Sequence, residues 1–119
     1  MKIAVTSLGK DLDSQVDPKF GRAAYILIVD TETLEFEALD NSENVNSFKG
    51  AGIQAAAMVG NKGAKVLLTG HCGPKAFDTL DAVGIKVVND VMGIVRTAVT
   101  EFDYDKATFA KTADAEPYS

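Results

Sequence analysis

Hydrophobic residues in this chain come in short runs broken by polar and glycine-containing segments, and the spacing inside each run predicts its conformation. Lys2 to Ser7 is a β-branched run ending in Ser7-Leu8-Gly9-Lys10, which reads as a buried first strand leading into a polar loop with Asp11, Asp13 and Asp17. Tyr25 to Val29 is unbroken apolar and Glu35 to Leu39 alternates, with Asp30-Thr31-Glu32-Thr33 as turn material between them; the pair reads as a β-hairpin. From Gly50 onward Ile53, Ala56, Ala57 and Gly60 keep helical spacing, and Gly63 stands where a left-handed cap would end the helix. Val66 to Leu68 reads as a brief buried strand. Pro74 takes the favoured first position of a second helix, whose apolar face is Ala76, Phe77, Leu80 and Val83 and which ends at Gly84. Ile85 to Val88 is a last buried strand, and Ile94, Val95, Ala98, Val99 and Phe102 form the stripe of a third helix. The order βββαβαβα predicts one three-layer α/β domain.

Strands linked by helical crossovers run parallel, and parallel sheets bind ligands outside the carboxyl ends of their strands. That rim collects the loop after Ser7, Lys49-Gly50-Ala51-Gly52, Gly70-His71-Cys72-Gly73 and Asn89-Asp90-Val91-Met92-Gly93. The last three open helices, so three positive dipole ends and their unpaired N–H groups are expected to face one pocket, which predicts an anionic ligand.

Charge sharpens this picture. The chain of 119 residues carries 12 Lys and Arg against 17 Asp and Glu, a net −5, which disfavours nucleic acid and anionic membrane surfaces as partners. Yet Asn44 to Phe77 contains no carboxylate, while it holds Lys49, Lys62, Lys65, Lys75 and His71. Lys49 and Lys75 lie nearest the expected rim; Lys62 and Lys65 read equally well as a solvated face. With 46% hydrophobic residues and no long apolar segment, a single globular, cytoplasmic domain without leader or anchor is expected.

Several chemistries fit poorly. Gly50 and Gly52 lack the third glycine and ribose-binding acid of a dinucleotide fingerprint, and Gly60-Asn61-Lys62-Gly63 is no phosphate-binding P-loop. Thr6-Ser7 and Thr69-Gly70 stand where a two-metal nuclease needs carboxylates. Asp11, Asp13 and Asp17 lack calcium-loop spacing and read as solvent-facing or capping residues. One cysteine excludes an internal disulfide and a four-cysteine site. Cys72 beside His71, ahead of a proline-started helix, remains a candidate soft-metal ligand or nucleophile, set against a small buried hydrophobe.

Met1-Lys2-Ile3-Ala4-Val5, Leu12-Asp13-Ser14, Phe20-Gly21-Arg22-Ala23, Ala51-Gly52-Ile53-Gln54-Ala55-Ala56, Gly70 with Gly73-Pro74-Lys75-Ala76-Phe77, and Gly84-Ile85-Lys86-Val87 together resemble the dinitrogenase iron-molybdenum cofactor biosynthesis family, over roughly residues 1 to 102. The resemblance implies a ribonuclease H-like α/β/α fold with a five-stranded mixed sheet and an antiparallel second strand. It also implies a small non-catalytic protein that binds or hands on a molybdenum- or iron-containing sulfide cluster. Within the family, Gly70-His71-Cys72-Gly73-Pro74 looks like the orange-protein branch, which implies a molybdenum-copper sulfide cluster, with an iron-molybdenum type as the alternative. Family neighbours imply a possible ATPase or other protein partner.

Carried onto this chain, the implied cluster contacts are Phe20, Gly21, Arg22, Lys49, Gly50, Gly52, Gly70, His71, Gly73, Pro74, Met92 and Gly93, with Cys72 as the one thiolate. Many members have histidine where this chain has Lys19 and Lys49, a departure that favours charge and hydrogen bonding over histidine ligation. Residues 1–104 are expected to form the cluster-binding domain and 105–119 a partly ordered tail. The alternative reading is a metal-free regulatory or scaffold module that binds a protein partner.

Overall fold

The computed structural model describes residues 1–45 and 50–111. Its elements are β1 (Lys2–Ser7), β2 (Tyr25–Asp30), β3 (Phe36–Asp40), α1 (Ser42–Val45), α2 (Ala51–Asn61), β4 (Val66–Leu68), α3 (Pro74–Ala82), β5 (Lys86–Val88) and α4 (Val95–Glu101). The five strands form one mixed sheet in the order β3-β2-β1-β4-β5. β2 pairs antiparallel with β1, Lys2 opposite Asp30 and Ser7 opposite Tyr25, while β4 pairs parallel with both β1 and β5. The three-layer α/β arrangement with a five-stranded mixed sheet is therefore the one expected.

Alternation along the strands splits the core in two. Ala4, Ile26, Ile28, Leu67 and Val87 face α2 and α3, where they meet Ala55, Ala56, Val59, Ala76 and Leu80. Ile3, Val5, Leu27, Val29, Val66 and Leu68 face the other way, against Val95 and Val99 of α4 and Leu12 and Val16 of the long first loop. Small residues on α2 let α3 approach closely, which is why an alanine-rich helix sits beside its neighbour rather than on bulky side chains. Gly63, at φ +78°, follows the end of α2 as expected of a left-handed cap.

Two features differ from expectation. Asp40 accepts the Ser42 N–H at 2.8 Å and starts the short α1, whose four residues are too few to leave a periodic signal. The segment after α4 is also built into the domain as far as it is described: the Ala110 N–H donates to the Val87 carbonyl at 2.7 Å, and Phe109 and Ala110 pack on opposite core clusters. Residues 112–119 of the expected tail lie outside the described residues. No helix among the described residues is long and apolar enough to cross a membrane.

Candidate functional site

Three loops meet at the carboxyl ends of the parallel strands. The His71 N–H donates to the Pro18 carbonyl at 2.8 Å, and Lys19 and His71 form a parallel bridge. On the other side, the Asp90 and Val91 N–H groups donate to the Gly70 and Thr69 carbonyls at 2.9 and 3.1 Å. The 69–73 loop is thus held between the 17–22 and 89–93 loops. A Cβ on Gly70 would fall 2.5 Å from the Pro18 carbonyl oxygen, so this strand end accepts the neighbouring loop only as glycine.

Polar groups buried beneath the rim fix the 17–22 loop. The Thr6 hydroxyl donates to the Asp17 carbonyl at 2.6 Å; with its one proton spent there, it accepts from the Thr69 hydroxyl 2.9 Å away. Asp17 is itself buried, and its carboxylate accepts the N–H groups of Lys19 and Ala24 at 3.0 and 3.1 Å. It is therefore a loop-organising residue rather than a solvent-facing one. Asn41 completes the frame, its Nδ2 donating to the Gly21 and Ala23 carbonyls at 3.1 and 2.8 Å. Thr6, Thr69 and Asn41 carry no motif; polar residues at strand ends, where the flanking pattern is apolar, are the only signal that marks them.

This frame presses the Phe20-Gly21-Arg22 turn onto the start of α2. Phe20 is anchored in the core at 1% exposure, so its ring supports the turn instead of lining the rim as expected. A Cβ on Gly21 would lie 2.8 Å from backbone atoms of Gly52, and a Cβ on Gly52 would lie 2.7 Å from the Ala76 Cβ. The turn, the first turn of α2 and the first turn of α3 are consequently in contact at one corner. Arg22, Lys19, His71 and Lys75 are exposed around it.

The two helix ends at this corner have the same positive sign. Neither Gly50 nor Gly73, the residues preceding α2 and α3, makes a side-chain capping bond, and neither helix has an acid in its first turn. Helix N-termini favour anions by about 0.3–1 kcal/mol each, and Lys75 in the first turn of α3 is a cation at the wrong end. A negative ligand would relieve that repulsion.

Other expectations are corrected. The start of α4 does not contribute to the corner: it lies on the opposite face of the sheet, and the Val95 and Arg96 N–H groups donate to the Ser14 and Leu12 carbonyls at 2.9 and 2.7 Å. Two helix ends, not three, converge. Met92 and Gly93 belong to that α4 side, where the Gly93 carbonyl accepts the Val16 N–H at 2.8 Å and Met92 lines a groove against α4. Cys72 is fully buried in the α2–α3 core, with its Sγ 3.7 Å from the Gly73 carbonyl. Its sulfur is therefore shielded from solvent, although its neighbour His71 is exposed. Lys62 pairs with Glu37 at 2.8 Å beyond the far end of α2, and Lys65 precedes the amino end of β4, so neither serves the rim. Lys49 lies outside the described residues. No group of three or more His, Cys, Asp or Glu that could hold a metal ion occurs among the described residues.

Comparison with known proteins agrees with this architecture. Residues 1–104 match the family model for dinitrogenase iron-molybdenum cofactor proteins. The structure is similar to the apo form of the orange protein from Desulfovibrio gigas, at 46% identity and TM-score 0.90 over 96% of each chain. It is also similar to a candidate NifB protein from Thermotoga, at 32% identity and TM-score 0.80 over 96% of this chain and 97% of that one. An uncharacterised protein of Methanocaldococcus jannaschii is 28% identical over 90 residues, 73% of this chain and 76% of its own length.

Proposed function

We propose that this chain, which belongs to the dinitrogenase iron-molybdenum cofactor family, binds and carries a preformed anionic molybdenum-containing sulfide cluster at the corner where α2 and α3 begin. The cluster is cargo, of molybdenum-copper type in the favoured reading and iron-molybdenum type in the other, and the protein performs no chemistry on it. The observation that carries this reading is the pairing of two helix N-termini, each preceded by a glycine and without a first-turn acid, with Lys75 placed against the dipole of α3.

The donor set fits a cluster that arrives with its own sulfide ligands. With Cys72 inside and no group of three or more His, Cys, Asp or Glu that could hold a metal ion among the described residues, the corner offers chiefly charge and N–H donors. Arg22, Lys19 and Lys75 would neutralise the cargo and His71 would hydrogen-bond its edge, while Gly21, Gly52 and Gly70 let the loops and helix starts pack together and Gly50, Gly73 and Pro74 form the starts of α2 and α3 that would face it. Lys49, the residue before Gly50 in the sequence, is kept as a candidate on its sequence position alone and lies outside the described residues. The molybdenum-copper form is favoured on the orange-protein-like run Gly70-His71-Cys72-Gly73-Pro74 alone, since the similar solved structure is an apo form.

The test is addition of tetrathiomolybdate, with and without copper, to the purified protein, followed by gel filtration, visible spectroscopy and metal analysis. Stoichiometric colour in the protein fraction is expected, with retention about three- to tenfold weaker in Arg22→Ala and in Lys75→Ala. Colour confined to the small-molecule fraction with both additions, and with an iron-molybdenum cluster, would move a metal-free scaffold role ahead.

A further inference from the structure

On the opposite side of the sheet from the cargo corner, the β5–α4 loop, α4 and the segment after it enclose an open groove of about 460 Å³. Its apolar surface comes from Leu68, Val88, Val91, Met92, Ala98 and Phe102. Met92 is 82% exposed, and it is the most exposed of the large hydrophobic side chains of the described residues. Asp90, Glu101 and Asp103 also line the groove and are exposed, against a single base, Lys106.

This charge is opposite in sign to that of the α2–α3 corner. Three carboxylates around an apolar floor repel an anionic cluster and phosphate alike, and attract cations. The acids are spread from the loop at Asp90 to the far end of α4 at Glu101 and Asp103, a distribution that suits several cations along a chain better than the single charge of a small molecule. Flexible, polarisable Met92 suits a surface that moulds to a partner's apolar side chains.

We propose that this groove docks an amphipathic segment of a partner protein, with leucine- or phenylalanine-type anchors on one face and lysines or arginines flanking them. The groove is carried by the same 89–93 loop whose Asp90 and Val91 N–H groups hold the 69–73 loop, so a docked partner sits one loop away from the cargo corner. The proposal does not depend on the cargo reading.

Its test uses the cargo-free, isotope-labelled full chain, titrated with a synthetic helix-forming peptide that has leucine and phenylalanine on one face and lysine on the other, and with the glutamate counterpart. The lysine peptide is expected to shift the amide resonances of Val91, Met92, Ala98 and Phe102, less so as salt is raised, while the glutamate peptide leaves them in place. Met92→Gln and Glu101→Lys, both at exposed positions, are each expected to weaken binding about three- to tenfold. Equal shifts from both peptides, or shifts confined to the α2–α3 corner, would overturn the proposal. So would concentration-dependent shifts of the groove resonances without peptide, which would make a second copy the occupant, or their displacement when residues 112–119 are removed, which would make it the chain's own end.

Discussion

Gly52 and Ala76 meet across the α2–α3 interface so closely that a methyl group at position 52 would stand 2.7 Å from the methyl of Ala76. The first turns of both helices are therefore held together by the absence of a side chain. Gly52→Ala is expected to destabilise the fold by about 1–3 kcal/mol and to weaken cargo retention by displacing the corner. Adding Ala76→Gly removes the opposing methyl and should restore cargo retention more fully than stability, since glycine inside α3 itself costs about 1 kcal/mol. Denaturant unfolding and gel-filtration retention of colour, measured on both variants, check the split.

Lys75 sets binding against stability. Lys75→Glu places an acid at the positive end of α3, so the cargo-free protein should gain about 0.3–1 kcal/mol while cargo retention falls. A variant that loses both would mean that Lys75 serves the fold and not the ligand.

The buried hydroxyl pair makes a graded prediction. Thr6→Val leaves the Asp17 carbonyl without its 2.6 Å donor and should cost about 1–3 kcal/mol, while Thr69→Val removes only the outer member and should cost about 1 kcal/mol. Thermal melts of the two variants give the order directly.

Asp13 should titrate below the usual carboxylate range because the Arg96 guanidinium, 2.9 Å away, hydrogen-bonds it and adds its charge. A depressed carboxylate pKa in the folded state contributes stability that is present above the unfolded pKa and disappears as pH falls through the folded one. Carboxyl-carbon NMR of Asp13 should follow this, and Arg96→Ala should return its titration towards the ordinary range with only a small change in the acid limb of stability, because the pair is exposed and Asp30 and Asp40 are depressed independently.

Cys72→Ala should cost about 1 kcal/mol and leave cluster uptake intact, because the thiol fills core space. Its modification by a thiol reagent should be slow in the native protein and fast in denaturant. Loss of uptake in the folded Cys72→Ala protein would restore a thiolate ligand to the site.

What could be read from the sequence was what is encoded locally. Lys2–Ser7 and Val66–Leu68 are runs whose conformation follows from their own residues, and both strands have the bounds expected. Pro74 and Gly63 punctuate helices through their own backbone chemistry. The site was less legible because it is made by contacts distant in sequence. Nothing near Val95 announces that Ser14 and Leu12 carbonyls occupy the start of α4. Cys72 and His71 share a loop, yet one lies inside and the other outside, an outcome decided by the packing of α2 on α3. Lys62 and Lys65 belong to the same acid-free run as Lys75, but strand direction sends them to the other end of the sheet.

The hydrogen bond from Ala110 to Val87 also bears on how the molecule behaves in company. It gives the outer strand β5 a backbone neighbour, so that border of the sheet offers less to a stranger's strand. The opposite border, β3, is guarded by the charges of Glu37 and Asp40. A protein whose two sheet borders are shielded in these ways can stay at high concentration with less tendency to polymerise.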